Sequence, residues 1–377
     1  MRKRTRIIIA IVIFILFIIV FLQRNNLLQK YNKRVKSGST DIISVCIIDE
    51  ENNMQQLYKN PKLEQYVEVD IIIDGIYYND VGIRTKGSTI YNYLKHNKGN
   101  YSYKVKLDYN DVEQKYRGMT EIHLNAENFD QTGFREYLVY KIYNEMGVKT
   151  QAYSLTHLKI NEEEYGLFTM AEVINENYLK EKYNSDTLGN LYKPELSNEN
   201  YLVPGGSDLR YNGDDIKFYQ GILKNTQTDY TDEEDNKRLI SIIKKINESS
   251  SPEVIEQYFM DFDKVIKMVA INKVVANLDG FTSKARRNFF IYEENGKIDI
   301  LTFDFDLSLG ININRNYWVE DIYNYDLETS NEELFSRITE IIVCNEEYLE
   351  KYNQYVKETI ETIDNMRNRR TYERIRF

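Results

Sequence analysis

Three aspartates and one asparagine in the second half of the chain, Asp279, Asn288, Asp304 and Asp306, are side chains of the kind that hold a divalent cation. Two of them stand in the run LTFDFDLSLG, residues 301–310, where one phenylalanine separates the carboxylates. Read as a strand, the run puts Asp304 and Asp306 on one face and Phe303 and Phe305 on the other. Like charges that close raise each other's pKa and cost stability unless a positive partner, a metal ion or a basic cluster, lies between them. Asp279 ends a helical stretch at NLDG, and a hairpin from Asn288 to Asp304 returns the chain to the same end, which gathers the four side chains. Hard oxygen donors without sulfur or imidazole suit Mg²⁺ or Mn²⁺. Each residue also has a plainer role: a helix-end turn for Asp279, a turn for Asn288, an arginine ion pair for Asp306.

A second set is cationic. In VGIRTKGS, Arg84 and Lys86 alternate with Ile83 and Thr85, and in YSYKVKLD, Lys104 and Lys106 alternate with Tyr103, Val105 and Leu107. Each strand then has an apolar face for a core and a face with two cations, and neighbouring cationic faces attract an anion between them. A solvated edge protected by charge is the plainer reading. Lys86-Gly87-Ser88-Thr89 resembles the end of a phosphate loop, but the upstream Walker glycine is missing and no GxGxxG occurs. Cations for phosphates, a metal for developing charge and a carboxylate to orient an attacking hydroxyl are what phosphoryl transfer uses. His96, His123 and His157 have no i,i+4 partner and no GxSxG serine accompanies them, so a zinc hydrolase or a serine triad lacks support. A glycosidase pair of carboxylates would leave the basic strands unexplained.

The elements that must position these residues follow from periodicity. DIISVCIID, YVEVDIIIDGIYYNDVGIRTKG with its Asp74-Gly75 turn, YSYKVKLDY and EIHLNAEN read as a strand-rich first lobe, about residues 41–195. The helix FREYLVYKIYNEMG follows, with Thr132 as N-cap and Gly147 as stop; SLTHLKINEEEYGLFTMAEV reads as a hairpin and INENYLKEKY as a short helix. NTQTDYTDEEDNKR shows no periodicity and is assigned to a variable surface insertion, about 196–250. A mixed, helix-rich second lobe, about 251–377, begins at Ser251-Pro252. It contains a long helix ending at Asp279-Gly280, a hairpin turning at Asn295-Gly296, and two closing helices.

With 377 residues, 42% hydrophobic and 29% charged, the chain is long enough for one large domain or two lobes. The net charge of −10 argues against general nucleic-acid binding. Cys46 and Cys344 form no CxxC and no disulfide framework. At the start, the basic residues of MRKRTR precede IIIAIVIFILFIIVFL, Ile7 to Leu22, with no polar side chain and no small-x-small cleavage site after it. This predicts a cytoplasmic tail at 1–6, a single transmembrane signal anchor at 7–23, a juxtamembrane linker at 24–40 and an extracytoplasmic remainder.

The ordered set GIRTKGS, YSYKVKLDY, HLNAENFDQTGFREYLVYKIYNEMGV, INEEEYGLFTMAEVIN, NLDGF, RNFFIY and TFDFDLSLG, from about residue 80 to 311, resembles the spore-coat CotH kinase family. The resemblance implies an α+β, two-lobed, atypical protein-kinase-like fold and an ATP-dependent enzyme that phosphorylates Ser or Thr hydroxyls of surface or spore-coat-type proteins with Mg²⁺ or Mn²⁺. Carried over by motif, Asp279 matches the catalytic aspartate. Asp304 matches the metal-binding aspartate, with Asp306 and Asn288 as further ligands. Arg84, Lys86 and Lys104 fall in motifs expected to hold ATP phosphates, and Glu172 in MAEVIN matches a glutamate that pairs with such a cation. Asp130, Arg135 and Glu136 match as structural ties between lobes. The sequence departs from the family's DGxxHN pattern: Asp279 and Asn288 are nine positions apart, SKARR intervenes and the histidine is absent. Phe303 stands where relatives often carry tryptophan, and the anchor differs from a soluble coat protein. The alternative reading is a catalytically silent pseudokinase or scaffold that binds coat, wall or exopolysaccharide components.

Overall fold

The computed structural model describes residues 42–87, 91, 94, 99–130, 132–194, 207–223, 227–228, 231–277, 279–283, 286–309 and 337–370. The tail, anchor and linker expected over residues 1–40 lie outside the described residues, and among those described no helix is long and apolar enough to cross a membrane. The fold is mixed α+β and divides into two compact units. One runs up to Ala126 and includes Ser154–Ala171; the other comprises Glu127–Tyr153 and everything from Glu172 onward.

The first unit is a closed barrel with strand order β1-β2-β3-β4-β5-β7-β6. The strands are β1 (Ile42–Ile48), β2 (Val67–Ile73), β3 (Ile76–Lys86), β4 (Ser102–Lys106), β5 (Glu121–Asn125), β6 (Tyr153–Ile160) and β7 (Glu163–Glu172). Closure comes from β1, which pairs antiparallel with β2 and parallel with β6. Alternation supplies the filling, since Val45, Ile47, Ile71, Ile73, Ile83 and Val105 are fully buried. The β2–β3 turn is the expected Asp74-Gly75, with φ of +51° and +81°. Asp and Gly tolerate that left-handed pair, which matches the twist of the flanking strands.

In the second unit β8 (Asn190–Tyr192), β9 (Phe289–Glu294) and β10 (Lys297–Thr302) form an antiparallel sheet in the order β10-β9-β8, turning at Asn295-Gly296. Its helices include α1 (Arg135–Glu145), α2 (Glu176–Tyr183), α3 (Glu233–Glu248), α4 (Phe262–Val274) and α5 (Glu346–Arg370). The edge of Phe262 meets the Tyr348 ring at 5.0 Å and Tyr355 donates to Asp263 at 2.6 Å, which docks α5 on α4.

Four local expectations are corrected. The start of α1 is held by Asp130, whose carboxylate accepts the amides of Phe134 and Arg135 at 2.8 and 2.9 Å; Thr132 instead donates its hydroxyl to Asp130. Residues 233–248 form a helix, opened by a reciprocal capping box between Asp232 and Asp235 and buried through Leu239, Ile240, Ile242, Ile243 and Ile246. The acidic first turn hid that period. The helix before NLDG stops at Val274, and neither Ala276 and Asn277 nor Asp279 and Gly280 are helical, so Asp279 does not end that helix. Finally, β10 ends at Thr302 opposite Phe289, the first residue of β9, so nothing carries the ladder further. Asp304 takes φ of +60°, and strand alternation fails there. Phe303 packs at 4.9 Å from the Phe290 ring, while Phe305 packs against Tyr140 and Tyr143 of α1 at 4.9 and 5.0 Å.

Because Phe305 is fully buried between two tyrosines, Phe305→Ala is expected to lower unfolding free energy by about 3–5 kcal/mol. Denaturant unfolding checks this against Leu309→Ala at an exposed side chain, expected to cost less than about 1 kcal/mol.

Candidate functional site

The site in the second unit begins with a buried polar relay. The Asn272 Oδ1, on α4, accepts from the Tyr143 hydroxyl at 2.7 Å and from Asn277 Nδ2 at 3.1 Å. Asn277 Oδ1 in turn accepts the backbone N–H of Asp279 at 3.2 Å. Both asparagines are buried, so these bonds are obligatory and fix the turn. Gly280 is part of the same device: a Cβ there would lie 2.6 Å from Asn277 Nδ2.

Asp279 is 8% exposed and both its oxygens are engaged. Oδ1 accepts from Arg287 Nε at 2.7 Å and Nη2 at 2.6 Å; Oδ2 accepts from Asn288 Nδ2 at 2.9 Å. Burial pushes the Asp279 carboxyl above the usual carboxylate range, and Asp304 adds to the rise; Arg287 and Asn288 oppose it without cancelling it. Burial also acts to lower the pKa of Arg287, but Asp279, Asp304 and Asp306 together outweigh it and raise the pKa. One guanidinium therefore stands in the field of all three aspartates.

Asn288 joins the two halves of the site. Its side chain holds Asp279, and its carbonyl accepts the amide of Phe303 at 3.1 Å, one residue before Asp304. Asn288 and Asp304 both have left-handed backbones, φ +59° and +60°, a conformation Asn and Asp adopt more readily than other non-glycine residues. The segment after Asp304 is pinned at each end. Glu136, fully buried, accepts the amide of Phe305 at 3.4 Å; Leu309 donates to Val275 O at 2.6 Å and accepts from Arg135 Nη1 at 2.8 Å. Asp130, Arg135 and Glu136, expected as ties between lobes, thus have their described contacts inside the second unit, anchoring α1 and this segment.

Among the described residues no three His, Cys, Asp or Glu side chains form a cage for a metal ion. Mg²⁺ asks for less, one or two carboxylates with water and phosphate oxygens completing the octahedron. Asp304, Asp306 and the Oδ1 of Asn288, whose Nδ2 is committed to Asp279, are a hard-oxygen donor set and fit such an ion.

In the first unit Arg84 and Lys104 lie directly opposite each other across β3 and β4. Arg84 is ion-paired with Glu64 and its guanidinium lies 5.6 Å from the Tyr66 ring centre; Lys104 pairs with Glu121 at 2.5 Å; Lys86 donates to Asn125 at 2.5 Å. Carboxylates of the same unit thus supply part of the negative charge expected between the cationic strands. Glu172, at the end of β7 and in the second unit, accepts the amide of Ala152 at 3.2 Å, and burial raises its pKa. Sequence reasoning missed Arg287, Asn272, Asn277 and Tyr143. Arg287 could have been flagged by its place beside Asn288 in an otherwise acidic set, whereas Tyr143 meets Asn272 across 129 positions.

A family model described as CotH kinase protein matches residues 83–376, most of the chain, and the chain belongs to that family. Among curated proteins it is similar to inner spore coat protein H of Bacillus subtilis (strain 168), 26% identical over 306 residues, spanning 79% of this chain and 77% of that one. Among solved structures, the Helicobacter pylori proinflammatory kinase CtkA matches 69% of this chain and 90% of that chain at 15% identity, with a TM-score of 0.30, a level that constrains neither fold nor function.

The hydrogen bonds at Asp130 generate a prediction. Burial alone would raise its pKa, but the bonds from Thr132, Arg135 and Phe134 outweigh burial and lower it. A depressed folded pKa contributes stability above the unfolded value, and that contribution is lost as pH falls through the folded one. Asp130→Asn is expected to cost about 1–2 kcal/mol at neutral pH. In urea unfolding across pH, the gap to the wild type should close only below the ordinary aspartate range.

Proposed function

We propose that the chain is a CotH-type kinase that transfers the γ-phosphoryl group of ATP to Ser or Thr hydroxyls of surface or coat-type proteins. The observation that carries this reading is the hydrogen-bonded pair Asp279–Asn288 beside Asp304, in a chain of this family. In it Asp279 orients the acceptor hydroxyl and takes its proton, for which a carboxyl held above its ordinary pKa is suited. Asp304, with Asp306 and Asn288, would hold Mg²⁺ or Mn²⁺, which when bound neutralises charge on the transferring phosphoryl group. Arg84, Lys86, Lys104 and Glu172 are the nucleotide-binding residues of the proposal, by their place in the family motifs. The two-lobed kinase-like fold, the anchor at 7–23 and an outward-facing domain on a single-pass membrane protein belong to the same reading, with no nucleic-acid partner.

One observation favours a second reading, a silent pseudokinase or scaffold: Arg287 and Asn288 between them already engage both oxygens of Asp279. Incubating the purified chain with γ-labelled ATP, Mg²⁺ or Mn²⁺ and an acceptor protein separates the two. Metal-dependent incorporation that drops at least about 100-fold in both Asp279→Asn and Asp304→Asn is expected for the kinase. Absence of incorporation together with no thermal stabilisation by metal and ATP would leave the scaffold.

A further inference from the structure

Arg287 is built as a removable cation. Its guanidinium makes a forked contact with one oxygen of Asp279, yet its side chain is 42% exposed while that of Asp279 is 12% exposed. The carboxylate is buried; its partner reaches in from solvent. The guanidinium end of the pair lies in water, so it can swing away once another cation neutralises Asp279. The carboxylate cannot remain unpaired, because a buried charge without a partner is expensive. While Asp279 stays ionised, the field that stands in for Arg287 must therefore be positive, whichever group takes over its hydrogen bond. Asp304 and Asp306 act on the same guanidinium, so the replacing charge would also meet them. Asn288 completes the arrangement, since its bond to the other oxygen of Asp279 needs no change when the arginine departs.

We propose that Arg287 is the resting counter-cation of this site, competing with the divalent metal for the aspartates, so that it sets the metal affinity of the nucleotide-free chain. This rests on the metal-site reading given above and extends it to a residue outside the ligand set. Arginine suits the role because it stays charged at any physiological pH and its fork grips a carboxylate without ligating a metal. Metal entry then costs the breaking of one ion pair. The freed guanidinium becomes available beside the site for an anionic group.

The full chain in detergent, without nucleotide, is titrated with Mn²⁺, bound metal being read from loss of the free-ion EPR signal. Arg287→Gln is expected to bind Mn²⁺ at least about fivefold more tightly than wild type, and Arg287→Lys to fall between them. Equal or weaker binding by Arg287→Gln, with wild-type chain binding normally, would overturn the proposal while leaving the metal site standing. If wild type and both variants bind no Mn²⁺, the metal-site reading fails and this one with it. Should the glutamine variant not fold, the nitrogen resonance of the Arg287 side chain in wild type gives the answer: it should shift during Mg²⁺ titration in step with metal binding. A signal unmoved at saturation sinks the proposal.

Discussion

A carboxylate withdrawn from water must be neutralised or protonated, and the surroundings of Asp279 are arranged to satisfy that demand. One oxygen is held by Arg287 and the other by Asn288, and still the carboxyl lies above its ordinary pKa because burial and Asp304 act against ionisation. Two asparagines and a tyrosine fix the turn that carries it, and a glycine leaves room for one of the asparagines. The polar residues here are structural in the strict sense that each closes a bond another buried group requires. Arg287 is the member of the ion pair that reaches solvent, its side chain 42% exposed against 12% for Asp279.

The same demand shapes the segment around Asp304. Phe303 and Phe305 are anchored in different packing environments, the first against Phe290 and the second against α1. A regular strand would send both to one side. The left-handed turn at Asp304 separates them, and it is held by Asn288 before it and by Glu136, Arg135 and Val275 after it. Backbone strain of this kind persists where the surroundings over-determine it, which makes Asp304 a fixed point rather than a loop residue.

Where the local code was sufficient, the sequence was readable. Asp74-Gly75 and Asn295-Gly296 specify hairpins through their own backbone preferences, and Gly147, with φ of +77°, ends α1 as expected. That Asn288 returns to Asp279 and to the segment before Asp304 was legible because the Asn295-Gly296 hairpin signal fixes where the chain comes back. What failed depended on competition. Thr132 and Asp130 are both plausible caps, and the carboxylate prevails because it accepts several donors at once. Residues 233–248 looked irregular because charges occupy the first turn, before the apolar face begins at Leu239. The end of β10 is set by where its partner begins, information held in another segment. Arg287 was passed over because in sequence it reads as part of an inserted basic loop.

In both charged sets, each within its own unit, some members are already ion-paired by the chain. Arg84 holds Glu64 and Lys104 holds Glu121, just as Arg287 holds Asp279. Binding any ion at such a place is then an exchange, and its free energy is the difference between two pairings rather than the strength of one. Exchange discriminates by charge. A phosphate group carrying nearly two negative charges gains more from Arg84 than the single charge of Glu64 does, whereas a neutral glycan offers nothing to replace it. A divalent ion would have the corresponding advantage over one guanidinium in the field of the neighbouring aspartates. Exchange of this kind needs no preformed empty cage, and under the proposed function it would favour polyphosphate and metal over sugar.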